Sequence, residues 1–156
     1  VFVSVRNDDK PLIVPVAKHL ARLGFELVAT RGTAAFLKEH GLKCDIVNKV
    51  KEGRPHIVDQ LVNQEIAMVI NTTIGAESIR DSFSIRRTTL LQRVPYFTTT
   101  NGAMAAAHAI EAARLRGQVL PACSLQERHR RPSYTPQDAP SQRSSYREYS
   151  NSPKAT

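Results

Sequence analysis

Leu27-Val28-Ala29-Thr30-Arg31-Gly32-Thr33-Ala34-Ala35-Phe36 is the stretch on which the fold turns. It begins as an apolar run with a β-branched member, as a buried strand requires. Thr-Arg-Gly-Thr then breaks the run, and Ala, Phe and Leu come next at spacings that suit a helix. A strand, a glycine-containing turn and a helix start, in that order, present unpaired backbone N–H groups and the positive end of the helix dipole. That is the anatomy of an anion site. Gly32 admits close approach of a ligand, and Thr30 and Thr33 supply hydroxyls, Thr33 also being placed to cap the helix. An ordinary βα turn with a threonine cap has the same letters, so the rest of the chain has to decide.

On the N-terminal side, Val1–Val5 is a first strand with no lead-in. A chain that opens on such a strand, with Val in place of Met, is expected to be a piece of a longer one. Leu12, Ile13, Val16, Ala17 and Leu20 recur at three- and four-residue spacing, which predicts a helix over 11–23. Pro11 suits its first turn, Pro15 leaves its start open, and Gly24 ends it. Phe25–Ala29 is the second strand. On the other side, the helix begun at the turn runs to about His40 and closes at Gly41. Cys44–Val47 is a third strand, and residues 48–55 form a charged loop punctuated by Gly53 and Pro55. Ile57, Val58, Leu61 and Val62 make a short helix. Ile66–Ile70 is continuously apolar, as expected of a central parallel strand covered on both faces. Residues 76–92 are expected to be helical, with Ile79, Ile85 and Leu90 inward. Tyr96–Thr99 is a fifth strand, Asn101 a cap for a helix over Met104–Arg116, and Gln118–Leu120 a last edge strand.

Strands and helices alternate throughout. The expected fold is an α/β three-layer sandwich with a mostly parallel five-stranded sheet. Ligands of such sheets bind at the carboxyl ends of the strands. Here those ends carry Lys10, Thr30 to Thr33, Lys49 and Asn71 to Thr73. The implied ligand has a phosphate and hydroxyls.

The 156 residues are enough for one domain with a real core. No apolar run approaches the roughly 20 residues of a membrane span, and no signal peptide precedes the first strand, so no membrane partner is expected. Cys44 and Cys123 lie far apart, which fits a reducing cytoplasm and leaves no zinc or disulfide framework. The five histidines, His19, His40, His56, His108 and His129, show no spacing such as HxH or HExxH, and no metal is expected. His56 reads as a residue of a helix start. The net charge of +8 favours anionic ligands. Without aromatic stacking clusters or a recognisable motif, a nucleic-acid partner is not expected. From about Ser124 the composition changes to Pro, Ser, Gln, Arg and Tyr, which cannot bury enough apolar surface to order itself. The expected organisation is a domain over 1–127 and a disordered Pro/Ser/Arg-rich tail over 128–156.

Six segments stand in one register: Ala29-Thr30-Arg31-Gly32-Thr33, Val47-Asn48-Lys49-Val50, Glu52-Gly53-Arg54-Pro55-His56, Ile70-Asn71-Thr72-Thr73, Ile85-Arg86-Arg87 and Thr99-Thr100-Asn101-Gly102. Over roughly residues 1 to 126 the chain thereby resembles the C-terminal regulatory domain of the carbamoyl phosphate synthetase large subunit, which has the methylglyoxal synthase-like fold. The resemblance implies an allosteric site for a nucleoside monophosphate, UMP or IMP. It assigns Lys10, Thr30, Thr33 and Lys49 to the phosphate, and Asn71, Thr73, Ser82, Ser84 and Ile85 to ribose and base. It also implies that Tyr96 and Thr98 contribute to an ornithine site shared with the preceding synthetase domain, although Phe97 stands where bacterial members carry Asp. It implies as partners the remaining synthetase domains, a glutaminase small subunit and, in a homo-oligomer, further copies of the chain. ATP and Mg or Mn belong to the synthetase domains, and no cofactor is expected in this one. No residue is assigned a catalytic role.

The alternative is a free-standing methylglyoxal synthase acting on dihydroxyacetone phosphate. That chemistry needs a carboxylate base beside the phosphate. The synthases carry it in a Gly-Gly-Asp segment, where this chain reads Glu52-Gly53-Arg54-Pro55-His56. The cyclohydrolase domain of purine synthesis shares the fold, but its signature segments are missing after the turn.

Overall fold

The computed structural model describes residues 1–73, 80 and 82–117. Five strands, β1 (Phe2–Ser4), β2 (Val28–Ala29), β3 (Asp45–Ile46), β4 (Val69–Asn71) and β5 (Tyr96–Phe97), form one sheet in the order β3-β2-β1-β4-β5. Every pairing is parallel, with Val3 opposite Ala29 on one side and Ile70 on the other. The described helices are α1 (Lys10–Arg22), α2 (Arg31–Glu39), α3 (Ile57–Val62), α4 (Phe83–Leu91) and α5 (Thr100–Arg116). Short 3-10 turns cover Asn7–Asp9 and Val50–Glu52.

Alternation along the strands builds the three layers. Val3, Leu27, Ala29, Met68 and Ile70 point to one side, where they pack with Ile13, Val16, Ala17 and Leu20 of α1, Ala34 and Leu37 of α2, and Ala103 and Ala107 of α5. Phe2, Val28 and Val69 point to the other, against Ile57 and Leu61 of α3 and Ile85 of α4. The central strands are therefore apolar on both faces, as their sequences require.

The strands are shorter than their apolar runs. A parallel ladder extends only as far as its neighbour, and β1 has three residues. Phe25, Glu26 and Leu27 therefore precede β2, and Ile66 to Met68 precede β4; Leu27, Ile66 and Met68 stay buried and Phe25 packs against the core, while Glu26 and Ala67 are exposed. Pro15 does not delay α1, which starts at Lys10. Its ring removes one backbone donor on the exposed side, and the buried stripe carries the helix through. Gly24 closes α1 at φ +82°, with the Phe25 N–H reaching back to Leu20 O at 3.1 Å.

Three local expectations are corrected. The N-cap of α2 is Thr30, not Thr33, whose hydroxyl is used elsewhere. The last helix starts at Thr100, four residues before Met104, because Thr99 caps it by accepting the Gly102 N–H at 3.1 Å. Asn101 lies inside the helix. In α4, Leu90 is 69% exposed and Thr89 takes the inward position, its hydroxyl donating to Ile85 O at 2.7 Å. Burying Thr89 costs little because the helix carbonyl satisfies its hydroxyl. Ile79, the strand expected at Gln118–Leu120 and the tail over 128–156 lie outside the described residues.

Candidate functional site

The strand order has a physical consequence. From β1 the chain winds outward to β2 and β3, then returns to place β4 on the other side of β1. At that reversal the connections leave β1 and β4 in opposite directions and open a crevice at their carboxyl ends. A cavity of about 410 Å³ lies there, within the range of small-ligand sites. Ser4, Val5 and Arg6 line it from β1, and Asn71, Thr72 and Thr73 from β4. Lys49 to Glu52 close one side, and Ser82, the N-cap of α4, and Ile85 within it another.

Threonines finish the ladder around the end of β1. The Val5 N–H has no strand residue opposite it because β2 has already turned into α2. Thr33 Oγ1 accepts it instead, at 3.4 Å. On the other side, the Arg6 N–H donates to Thr72 Oγ1 at 3.2 Å. Thr30 Oγ1 lies 3.4 Å from Thr33 Oγ1 and 3.5 Å from Ser4 Oγ. Thr30 and Thr33 are buried, and this hydroxyl chain joins them to the cavity through Ser4. Lys10 enters from the first turn of α1. A Cβ on Gly32 would meet its Nζ at 3.6 Å, so the ammonium stands over the glycine at the start of α2.

The cations differ in what holds them. Arg6 Nε and Nη2 grip Asp9 at 2.8 and 3.1 Å. The guanidinium holds the Asp9 carboxyl below the ordinary 3.8 against the opposing effect of burial, with the Thr72 hydroxyl adding to the depression. Arg6 is thus an anchored wall. Lys49 is exposed, and among the described residues its ammonium meets no carboxylate. Glu52 instead accepts the Lys49 backbone N–H at 2.9 Å, tightening the turn.

Of the residues assigned from sequence, Lys49, Asn71, Thr73, Ser82 and Ile85 line the cavity. Lys10, Thr30 and Thr33 form the group at the start of α2 beside it. Ser84 is half-buried on α4 and does not line it. Tyr96 and Thr98 do not line it either. The Tyr96 hydroxyl accepts from Asn71 Nδ2 at 2.9 Å, Arg86 lies 5.7 Å from its ring centroid, and Thr98 is exposed. Sequence reasoning missed Ser4 and Arg6, and it placed Thr72 at a strand end without giving it a ligand role. The strand-end rule that named Asn71 to Thr73 would have named Ser4 and Arg6 too, had it been applied to the end of β1. His56 is the N-cap of α3, where its N–H donates to Asp59 Oδ2 at 2.9 Å.

A family model described as MGS-like domain matches residues 12–98. The chain belongs to the MGS-like domain family. It is 57% identical over 129 residues to the carbamoyl phosphate synthase large chain of Xanthomonas campestris pv. campestris, covering 83% of this chain and 12% of that protein. Identity to the large chain of Mesorhizobium japonicum is 51% over 126 residues, 81% of this chain and 11% of the other. The large chain, C-terminal section, of Methanopyrus kandleri is 51% identical over 116 residues, 74% of this chain and 21% of that one. This MGS-like domain thus spans about an eighth of the length of the full-length relatives it matches. Among the described residues no helix is long and apolar enough to cross a membrane.

Proposed function

We propose that this MGS-like domain binds a nucleoside monophosphate of the UMP or IMP type and serves as the regulatory part of a carbamoyl phosphate synthase large chain. The carrying observation is the cavity at the β1–β4 reversal, with the Lys49 ammonium, the Asn71 amide and the Ser82 hydroxyl around it. The phosphate goes toward the start of α2. There Lys10, Thr30, Thr33 and the free backbone N–H groups offer charge and hydrogen bonds to a dianion. Ribose and base occupy the side formed by Asn71, Thr73, Ser82 and Ile85, with Ser84 behind. Binding regulates the attached enzyme to the extent that the nucleotide prefers one of its states over another. The remaining synthetase domains, which carry ATP and metal, and a glutaminase subunit are the expected partners. Tyr96 and Thr98 are this domain's contribution to a neighbouring ornithine site, with Tyr96 tied to the nucleotide side through Asn71.

The alternative, methylglyoxal synthesis from dihydroxyacetone phosphate, would use Glu52, whose carboxylate borders the cavity. The hydrogen bond it accepts from the Lys49 N–H directs that oxygen at the backbone. Isothermal titration with UMP, IMP and dihydroxyacetone phosphate, with methylglyoxal assayed in the last sample, separates the two. Saturable binding of a nucleotide without methylglyoxal supports regulation. Methylglyoxal formation overturns it.

A further inference from the structure

On the face of the sheet away from α3 and α4, α1 and α5 pack side by side. The last turn of α1 brings His19 against His108 and Glu111, which sit one turn apart on α5. One donor atom from each of the three lies within 4.8 Å of the others. His19 Nε2 is 3.2 Å from Glu111 Oε2, and His108 Nδ1 is 3.9 Å from the same oxygen. The two imidazoles meet edge to face, with centroids 4.7 Å apart. No residue of this group lines the nucleotide cavity.

His19 is the informative member. It is 5% exposed, and Nε2 has no hydrogen-bond partner. The carboxylate oxygen is near enough, but its direction is wrong for an N–H donor. A buried polar atom left this way is costly in an otherwise satisfied fold. A cation shared by the lone pairs of the imidazoles and the carboxylate removes that cost.

We propose that His19, His108 and Glu111 bind a divalent transition metal of the zinc class and clip α5 to α1. Two imidazoles and one carboxylate form a borderline donor set that suits zinc, cobalt, nickel or copper more than calcium or magnesium. Donors about 2.0–2.1 Å from a tetrahedral ion stand about 3.3 Å apart. The His19–Glu111 distance already fits. His108, 62% exposed at its side chain, has the freedom to close the rest. The open side of the cluster leaves a fourth position for water, as in three-ligand zinc sites. Sequence spacing hid the group because its members come from two helices that only the fold brings together.

The test uses the full 156-residue chain without a histidine tag, stripped with chelator and titrated with Co²⁺, then with Zn²⁺ as competitor. Expected is a visible ligand-field band of four-coordinate intensity, bleached by Zn²⁺, together with a rise in thermal midpoint. His108→Ala and Glu111→Ala alter solvent-accessible positions, so the fold survives and circular dichroism verifies it. Each should abolish the band or weaken Co²⁺ binding by more than about tenfold. His40→Ala, a change at an exposed histidine outside the group, should leave the titration unchanged. A wild-type spectrum of octahedral Co²⁺ only, or a band that persists at full strength in either α5 variant, overturns the proposal. Neither outcome bears on nucleotide binding, which is read separately.

Discussion

Thr33→Val removes one hydroxyl and almost no volume, and it tests how the carboxyl end of β1 is completed. In the folded chain Thr33 is 2% exposed, and its oxygen accepts the Val5 N–H at 3.4 Å. Valine leaves that N–H buried without an acceptor. Such an orphan costs about 1–3 kcal/mol, and the long bond places this case nearer ~1–2 kcal/mol, a factor of roughly 5–30 in an equilibrium constant. The cost should appear twice: in denaturant unfolding, and as faster amide exchange at Val5 by a similar factor, with Val3 little changed. Thr33→Ser is the control. It loses a buried methyl, worth about 0.5–1.5 kcal/mol, yet keeps the acceptor, so Val5 stays protected. Because the Thr33 oxygen already accepts from Val5 and Thr30, its own proton is left to donate, and the valine variant should also bind UMP or IMP more weakly. Unchanged Val5 exchange in Thr33→Val would refute the idea that this hydroxyl extends the ladder.

Lys49→Ala should weaken nucleotide binding by about 1.5–3 kcal/mol, the range for hydrogen bonds to charged groups; unchanged affinity in calorimetry removes Lys49 from the site. Leu37→Ala, at a fully buried core position of α2, should destabilise by about 2–5 kcal/mol in chemical denaturation. Asp9→Asn should cost stability at neutral pH. Because the folded Asp9 carboxyl titrates below the ordinary 3.8, the wild-type advantage is complete above that value, shrinks as pH falls beneath it and vanishes below the folded value. Unfolding midpoints of both proteins against pH check the sign. Burial pushes the Cys44 thiol up to about 11, so on the order of 0.1% is thiolate at pH 8. In a Cys123→Ser background a thiol reagent should react with it only after denaturant is added.

The order of elements was legible because each strand end announces itself. Thr30 to Thr33, Asn48 to Pro55 and Asn71 to Thr73 interrupt apolar runs with residues that favour turns and caps. Their boundaries were less legible. The Ile66–Ile70 run is apolar enough for a five-residue strand, but the ladder is limited by β1, whose length only pairing reveals. Leu90 failed because helical spacing from Ile85 puts the next inward residue at i+4, and that position holds a threonine. Hydropathy does not expose the hydroxyl–carbonyl bond that makes Thr89 acceptable inside. The cap of α5 failed for a related reason: Thr98 to Asn101 are four candidates in a row. The choice depends on β5 ending at Phe97.

What no linear reading supplies is the place of the reversal. Lys10, Thr30 and Lys49 could have stood at separated strand ends. The order β3-β2-β1-β4-β5 sets β1 at the centre and gathers the turns after β1, β2, β3 and β4 around one end of it. The hydroxyls there have two jobs. Thr33 and Thr72 each accept a backbone N–H that the sheet can no longer pair. The Thr72 hydroxyl spends its own hydrogen on the Asp9 carboxyl, which the Arg6 guanidinium also grips, whereas the Thr33 oxygen, an acceptor toward Val5, keeps its hydrogen to donate. The same threonines therefore finish the ladder and brace the cavity end toward which we propose the phosphate is directed.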